Sequence, residues 1–311
     1  MKNITAKPET LRSARAGGTL YLPAECVTLL RERRTEKGDA LEIARAAAML
    51  GAKRTWELLP LCHPLPLATV RVDYRLEDAG RVHIEVEVEV IAATGVEMEA
   101  LTAVAIAALT LYDMLKPHAG TALQISDIRL LEKRGGKSQY RRAAQRALSA
   151  AVIVLSDTVA AGGAQDQAGA AVRARLTEAA IEVRGYEILP DDPEKLGVRL
   201  KHWLALHVDL LLTVGGTGVG ARDRTVETVT PFIELALPGI VETARAYGQR
   251  RMPYAMLSRA VAGLAGKTLL FTLPGSTRGA LESLEATLPG LMHVFEALDG
   301  TTHGRGGHGN T

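Results

Sequence analysis

The chain of 311 residues exceeds the ~100 to 200 residues of an ordinary single domain, so two compact domains are expected. Charged residues make up 23% and the hydrophobic set 47%, which excludes wholesale disorder, and the two cysteines, Cys26 and Cys62, are too few for a disulfide-stapled scaffold. Net charge is +2, with 22 basic against 18 acidic residues up to position 150 and 15 against 17 beyond it, too mild an imbalance to specify nucleic acid. In chain order, Leu41 to Leu58 is Ala-rich with a helical period, and Thr69 to Arg75 and Val82 to Val90 alternate as strands. Val82, Ile84, Val86, Val88 and Val90 form one apolar face, while Glu85, Glu87 and Glu89 point the other way, which predicts a sheet with one wet face. Glu99 to Lys116 reads as a long buried helix halted at Pro117. Its uncharged stretch, Ala100 to Tyr112, is shorter than the ~18 residues of a membrane span, so no span is expected. With no apolar signal segment after Met1 and few cysteines, a reducing, cytoplasmic setting is expected.

Between Arg129 and Arg146 lie seven Lys/Arg residues but only one aromatic, Tyr140. Binders of single strands add stacking residues to charge, so this run is read as a solvated linker or the rim of an anion site rather than a nucleic-acid surface. A domain boundary is placed near residue 147, where Ala151 to Leu155 opens a new buried strand. Apolar runs at Val152 to Leu155, Val208 to Val214 and Thr268 to Leu273 then alternate with helical stretches at Ala168 to Ala180, Pro193 to Leu206 and Gly279 to Leu288. That alternation predicts an α/β domain over residues 148–300, with a mostly parallel sheet covered by helices on both faces. The Gly-rich tail, residues 301–311, is expected to be flexible.

In the first half, polar residues concentrate at Lys37-Gly-Asp39, Leu61-Cys-His-Pro64, Gly95-Val-Glu-Met-Glu-Ala100 and Tyr112-Asp-Met-Leu-Lys116. His63, fixed between Cys62 and Pro64, is either structural or a proton shuttle. Glu97 and Glu99 either serve the helix N-terminus or perturb each other's proton affinity. Asp113 and Lys116 share a helix face, as a surface ion pair or as an acid/base couple. Lys133 and Lys137 flank Gly135-Gly136, a pattern able to wrap an anion.

From Asn3 to Ser138 these strings, with Ala52-Lys-Arg-Thr-Trp-Glu-Leu-Leu-Pro-Leu-Cys-His-Pro-Leu65, Thr94-Gly-Val-Glu-Met-Glu-Ala-Leu-Thr102 and Leu111-Tyr-Asp-Met114, resemble the MoaC family, cyclic pyranopterin monophosphate synthase. The resemblance implies an α+β ferredoxin-like domain over residues 1–147 and hexamers with sites shared between subunits. It also implies conversion of a cyclised dihydroguanosine triphosphate to cyclic pyranopterin monophosphate with release of pyrophosphate. It places Lys37, His63, Glu97, Glu99, Asp113 and Lys116 at site positions and Lys133 and Lys137 in the Gly-Gly loop, with no tightly bound cofactor. Asp113 and Lys116 are assigned to proton transfer, His63 and Glu99 to the pterin, and Lys37 and the loop lysines to phosphate. Two departures stand out: Asn3 where the family has Asp, and Arg134 where its loop has Ser.

In the second half, Val208-Asp-Leu-Leu-Leu-Thr-Val-Gly-Gly-Thr-Gly218 runs a buried strand into glycines where open α/β sheets bind ligands, although a bare tight turn reads the same way. It is neither a P-loop, since Ala221-Arg222 follow, nor the dinucleotide fingerprint. Ser156-Asp-Thr158, Pro190-Asp-Asp-Pro193 and Leu273-Pro-Gly-Ser276 are further loops. Asp191 is a helix cap or a ligand, and Asp223 pairs with its flanking arginines or is free for chemistry.

From Ala151 to Leu298, the phrases Leu155-Ser-Asp-Thr158, Asp166-Gln-Ala-Gly169, Leu189-Pro-Asp191, Thr213-Val-Gly-Gly-Thr-Gly218, Pro238-Gly-Ile-Val-Glu242, Leu257-Ser-Arg259 and Leu273-Pro-Gly275 resemble the MoaB/MogA molybdopterin adenylyltransferases. The resemblance implies adenylylation of molybdopterin by ATP with Mg²⁺, with Asp191 and Asp223 as catalytic, metal-holding acids. It implies a phosphate and pterin loop at Gly215, Gly216, Thr217 and Gly218, with Ser156, Asp157, Glu242 and Ser276 nearby. The whole is read as a bifunctional molybdenum cofactor enzyme acting on pterin and nucleotide triphosphate substrates, assembled as a homo-hexamer. The alternative is a first activity alone, with the second half a non-catalytic pterin-binding or oligomerising module.

Overall fold

The computed structural model describes residues 1–136 and 146–300. The chain divides into two compact units, Met1–Tyr140 and Arg141–Thr311. Lys137 and the boundary read near residue 147 lie in or beside the span 137–145, which is outside the described residues, as is the tail 301–311.

The first unit runs β1 (Thr10–Tyr21), α1 (Ala24–Arg31), α2 (Ala40–Lys53), α3 (Thr55–Leu58), β2 (Thr69–Glu77), β3 (Arg81–Ala92), α4 (Glu97–Ala119) and β4 (Gln124–Arg134). The four strands form one sheet in the order β2-β3-β1-β4, with antiparallel pairing throughout. The alternation of β3 sets the layer: Val82 to Val90 are buried on the helix side, and Glu85, Glu87 and Glu89 are half-buried on the other. α4 turns a stripe of small and aliphatic residues, Ala100, Ala103, Val104, Ala107, Ala108, Leu111 and Leu115, into the core. With its following turn it is long and apolar enough to cross a membrane by composition, and the packing of this stripe on the sheet is that of a core helix.

The expected stop at Pro117 is corrected: α4 continues to Ala119 and ends at Gly120, where φ is +56°. Proline in a last turn removes only one helical donor, the N–H that would reach the carbonyl of Asp113. The Lys37 ammonium lies 3.5 Å from that same oxygen, so the lost bond has a replacement.

The second unit contains β5 (Leu148–Leu155), α5 (Asp157–Ala160), α6 (Ala168–Glu178), β6 (Ile181–Leu189), α7 (Pro193–Ala205), β7 (Leu210–Val214), α8 (Thr225–Val229), β8 (Leu235–Ala236), α9 (Pro238–Gln249), β9 (Ala262–Ala265), β10 (Thr268–Leu273) and α10 (Thr277–Leu298). Its six-stranded sheet has the order β6-β5-β7-β10-β9-β8. The first four strands pair in parallel and the last two antiparallel, so the sheet is mixed. Alternate residues of β5 explain its continuous apolar run: Ala150, Val152 and Val154 face a core shared with α6, α9 and α10, and Ala151, Ile153 and Leu155 face a second one with α7 and α8.

Candidate active sites

In the first unit, Lys37 sits in a tight turn between Thr35 and Gly38, and Asp39 caps α2 by accepting the Glu42 N–H at 3.3 Å. The turn delivers Lys37 to the C-terminal end of α4. There the Asp113 carboxylate accepts from Lys37 at 2.8 Å and from Lys116, one turn along, at 2.6 Å. All three side chains are about half exposed. The hydrogen bond from Lys116, then that from Lys37, holds the Asp113 carboxyl down at about 2, and Asp113 in turn raises Lys116. At neutral pH the cluster is therefore one carboxylate between two ammonium groups. Lys37, a site position by resemblance and assigned above to phosphate, is placed with Asp113 and Lys116 and does not line the Gly135-Gly136 cavity.

The other end of α4 carries a second cluster. Glu97 pairs with Lys133 of β4 at 3.2 Å and lines a cavity of about 310 Å³ with Lys7, Arg12, Arg134, Gly135 and Gly136. Glu99 is 4% exposed; burial pushes its carboxyl up, and the like charge of Glu97 adds to the effect. The N-cap of α4, Val96, has no side-chain cap bond; both glutamates lie in the first turn of the helix, and the Glu99 carboxylate accepts its own backbone N–H there. Cys62 is raised by burial and by the charge of Glu99, which places the Cys62-His63 segment at this end. The His63 Nε2 contacts the carbonyl of Lys2 at 3.0 Å. Of the two departures, Asn3 accepts the N–H and hydroxyl of Thr5 at 2.9 and 2.8 Å, and Arg134 pairs with Glu132 at 2.5 Å.

Lys7 and Arg12 were not read as site residues. A signal for Arg12 exists: it interrupts the inward-facing series Ala14, Ala16, Gly18 and Leu20 of β1, and a charge on the buried face of a strand needs a partner or a ligand. It is 9% exposed, with its Nε on the Ala92 carbonyl at 3.3 Å.

In the second unit the glycine bend leaves the carboxyl end of β7. Gly215 and Gly216 have φ of +111° and +65°, and a Cβ on Gly215 would lie 2.3 Å from the Leu155 carbonyl oxygen, so the turn requires glycine there. Arg259 fastens the bend: its Nε donates to the Gly218 carbonyl at 2.7 Å, its N–H to the Thr217 carbonyl at 2.9 Å, and its guanidinium also reaches the Asp223 carbonyl and Glu227. Arg259 stood in the sequence only as part of a phrase.

Around the bend lie the acids. Asp192, not Asp191, caps α7, accepting the N–H groups of Glu194 and Lys195 at 2.9 and 3.1 Å, which frees Asp191. Asp157 and Asp191 exchange backbone-to-carboxylate bonds at 3.4 and 3.1 Å, and Arg222 pairs with Asp157. Burial raises Asp191, and the charges of Asp157 and Asp223 push the same way. The Asp223 carboxylate accepts the Gly220 N–H at 2.8 Å. A cavity of about 450 Å³ opens beside the bend, lined by Gly216, Thr217, Gly218, Asp223 and Ser276, and by apolar residues of α9 and β10. Ser276 caps α10 through the Gly279 N–H at 3.2 Å. Ser156 caps α5 through the Val159 N–H at 3.4 Å. Glu242 is exposed on α9 and does not line the cavity.

Comparisons with known proteins match both units. A family model described as "MoaC family" covers residues 1–136, and one described as "Probable molybdopterin binding domain" covers 151–293. A "Molybdenum cofactor biosynthesis bifunctional protein" of Chlorobaculum tepidum is 39% identical over 97% of this chain and 96% of its own length. The chain belongs to the bifunctional molybdenum cofactor biosynthesis proteins. The first unit alone is similar to a cyclic pyranopterin monophosphate synthase of Thermomicrobium roseum, 52% identical over 44% of this chain and 83% of that one. The crystal structure of the molybdopterin biosynthesis enzyme MoaB from Thermus thermophilus is 41% identical, with a TM-score of 0.47 over 49% of this chain and 97% of that one.

As a bifunctional molybdenum cofactor protein, this chain carries three polar clusters, two in the first unit and one in the second. Lys37 joins Asp113 and Lys116, and Glu97 joins Lys133, at opposite ends of α4. Asp157, Asp191 and Asp223 converge electrostatically at the glycine bend.

Proposed function

We propose that the first unit is a cyclic pyranopterin monophosphate synthase and the second a molybdopterin adenylyltransferase, joined in a cytoplasmic homo-hexamer. The β-α-β-β-α-β order of the first unit, with sheet order 4-1-3-2, supports a ferredoxin-like assignment. The observation that carries the first activity is the pair of clusters on α4. At about 1.5 Å per residue, Glu99 and Lys116 are roughly 25 Å apart along the axis, farther than one fused ring system spans. The reading therefore places a site where one protomer's Lys37, Asp113 and Lys116 face the Glu97, Glu99, His63 and Lys133 of a neighbour. Lys116, held charged by Asp113, is the proton donor, and Glu99, with its raised carboxyl, exchanges protons closer to neutrality than an ordinary glutamate. Lys7, Arg12 and Lys133 meet the triphosphate.

For the second activity, the carrying observation is Asp191 freed from capping beside Asp157 and Asp223. Among the described residues no group of three or more His, Cys, Asp or Glu is arranged to hold a metal. Asp191 and Asp223 fit Mg²⁺ arriving with nucleotide, which needs one or two carboxylates besides phosphate oxygens. Asp191 and Asp223 would hold it, and bound there it would neutralise charge on the triphosphate. The bend's backbone N–H groups, fixed by Arg259, orient the phosphate, and Ser276 lies on the cavity rim.

Two assays on the full chain test both activities. Lys116→Ala should lower pyrophosphate release from the cyclised dihydroguanosine triphosphate by roughly 10²- to 10⁴-fold and leave adenylylation intact; Asp223→Asn should impair adenylylation and leave pyrophosphate release by the first unit intact. Absence of adenylylated molybdopterin from folded wild-type protein given ATP and Mg²⁺ rejects the second activity.

A further inference from the structure

Arg222 and Asp223 follow the glycine bend side by side and are held in different ways. The Asp223 carboxylate rests on the backbone of its own turn: it accepts the Gly220 N–H at 2.8 Å, and a Cβ on Gly218 or Gly220 would lie 2.9 or 2.7 Å from its Oδ2. Arg222 crosses to the β5–α5 junction and pairs with the Oδ2 of Asp157, whose Oδ1 accepts the Asp191 N–H at 3.1 Å. The Arg222 side chain is 71% exposed and that of Asp157 34%. An ion pair this open to water and salt is weak and readily exchanged. Its charge still reaches the acids: burial and the charges of Asp157 and Asp223 raise Asp191, and Arg222 acts against them. The carboxylates thus share a loosely held cation at the place read above for nucleotide-borne Mg²⁺.

We propose that Arg222 is a built-in counter-ion of the Asp157, Asp191 and Asp223 cluster, displaced when Mg²⁺ arrives with a nucleoside triphosphate and transferred to the phosphates themselves. This role rests on the adenylyltransferase reading and adds Arg222 to it as a positioning residue. Before nucleotide binds, the guanidinium offsets repulsion among the carboxylates, so a divalent ion without nucleotide competes with a charge already in place. Once nucleotide-borne Mg²⁺ occupies the carboxylates, the phosphate oxygens offer the released guanidinium a planar, bidentate partner. Metal entry is thereby coupled to nucleotide entry, because Arg222 has a better partner only when phosphate is present. Asp223, fixed by the Gly220 N–H, keeps its place while the neighbouring side chain changes partner.

The test measures binding to the full chain, of Mn²⁺ alone by electron paramagnetic resonance and of ATP with Mn²⁺ by equilibrium dialysis. Asp191→Asn supplies the blank for each, so that binding in the first unit and elsewhere is subtracted. Arg222→Met should bind Mn²⁺ alone about two- to fivefold more tightly than the wild type, the gain from removing an exposed like charge. The same variant should bind ATP about tenfold or more weakly, since the charged hydrogen bonds lost to phosphate outweigh the exposed pair given up. An arginine that merely braced the loop would not give opposed shifts; its removal would weaken both. Arg222→Lys, which keeps the charge and loses the planar fork, should bind Mn²⁺ as the wild type does and ATP with intermediate affinity. Mn²⁺ binding unchanged or weakened in Arg222→Met, or ATP binding undiminished, overturns the proposal. Failure of the underlying reading looks different: opposed shifts as described, with no adenylylated product from the wild type.

Discussion

Mixing two inactive chains tests the separation along α4. A Glu99→Gln chain keeps an intact Lys37, Asp113 and Lys116, and a Lys116→Ala chain keeps an intact Glu97, Glu99 and His63. Each alone should lose roughly 10²- to 10⁴-fold in turnover, the usual cost of removing a general acid or base. If a site takes one cluster from each of two neighbours, random 1:1 assembly gives each half an intact donor half of the time, so about one site in four is whole. Co-expressed or co-refolded mixtures should therefore release pyrophosphate at roughly a quarter of the wild-type rate per site. A mixture of Lys37→Ala and Lys116→Ala chains, both damaged at the same end of α4, should stay inactive. Mixed activity no greater than the mean of the two parents would show that one protomer holds its whole site, and would refute the argument from helix length.

Three further outcomes follow from the geometry. The Asp113 carboxyl, followed by NMR, should titrate at about 2; Lys116→Met should move it up towards an ordinary carboxylate, and Lys37→Met should move it less, because the Lys116 bond is the larger cause. Gly215→Ala should destabilise the second unit by about 1–3 kcal/mol from its left-handed backbone alone, before the contact with the Leu155 carbonyl is counted, visible as an earlier transition in chemical denaturation. Arg259→Ala should lower adenylylation by on the order of 10- to 100-fold through displacement of the bend and of the Asp223 loop, with the fold retained by circular dichroism.

What could be read in advance follows from burial. β3 has one wet face and so alternates, and β5, β7 and β10 are covered on both faces and so run continuously apolar; both patterns are visible in a sequence. The antiparallel edge was not, because β9 is Ala-Gly-Leu-Ala and β8 only two residues, too short and too poor in branched side chains to register. Asp113 and Lys116 share a face by spacing alone, but nothing local brings Lys37 to them across the fold. Asp191 and Asp192 are indistinguishable as caps until the backbone at Pro193 is placed. Arg259 acts mainly through main-chain oxygens, and such contacts leave no periodic trace.

Pro117 gives the lysine at the end of α4 an unusual tether. By withholding its amide, the ring leaves an oxygen of the helix backbone facing outward, and Lys37 is gripped there as well as by the carboxylate beside it. Its placement thus survives neutralisation of Asp113, so charge and position at this corner are separable: Asp113→Asn would silence the anion yet keep the ammonium near its post, whereas Pro117→Ala would close the helix over that oxygen and loosen the ammonium while the anion stays.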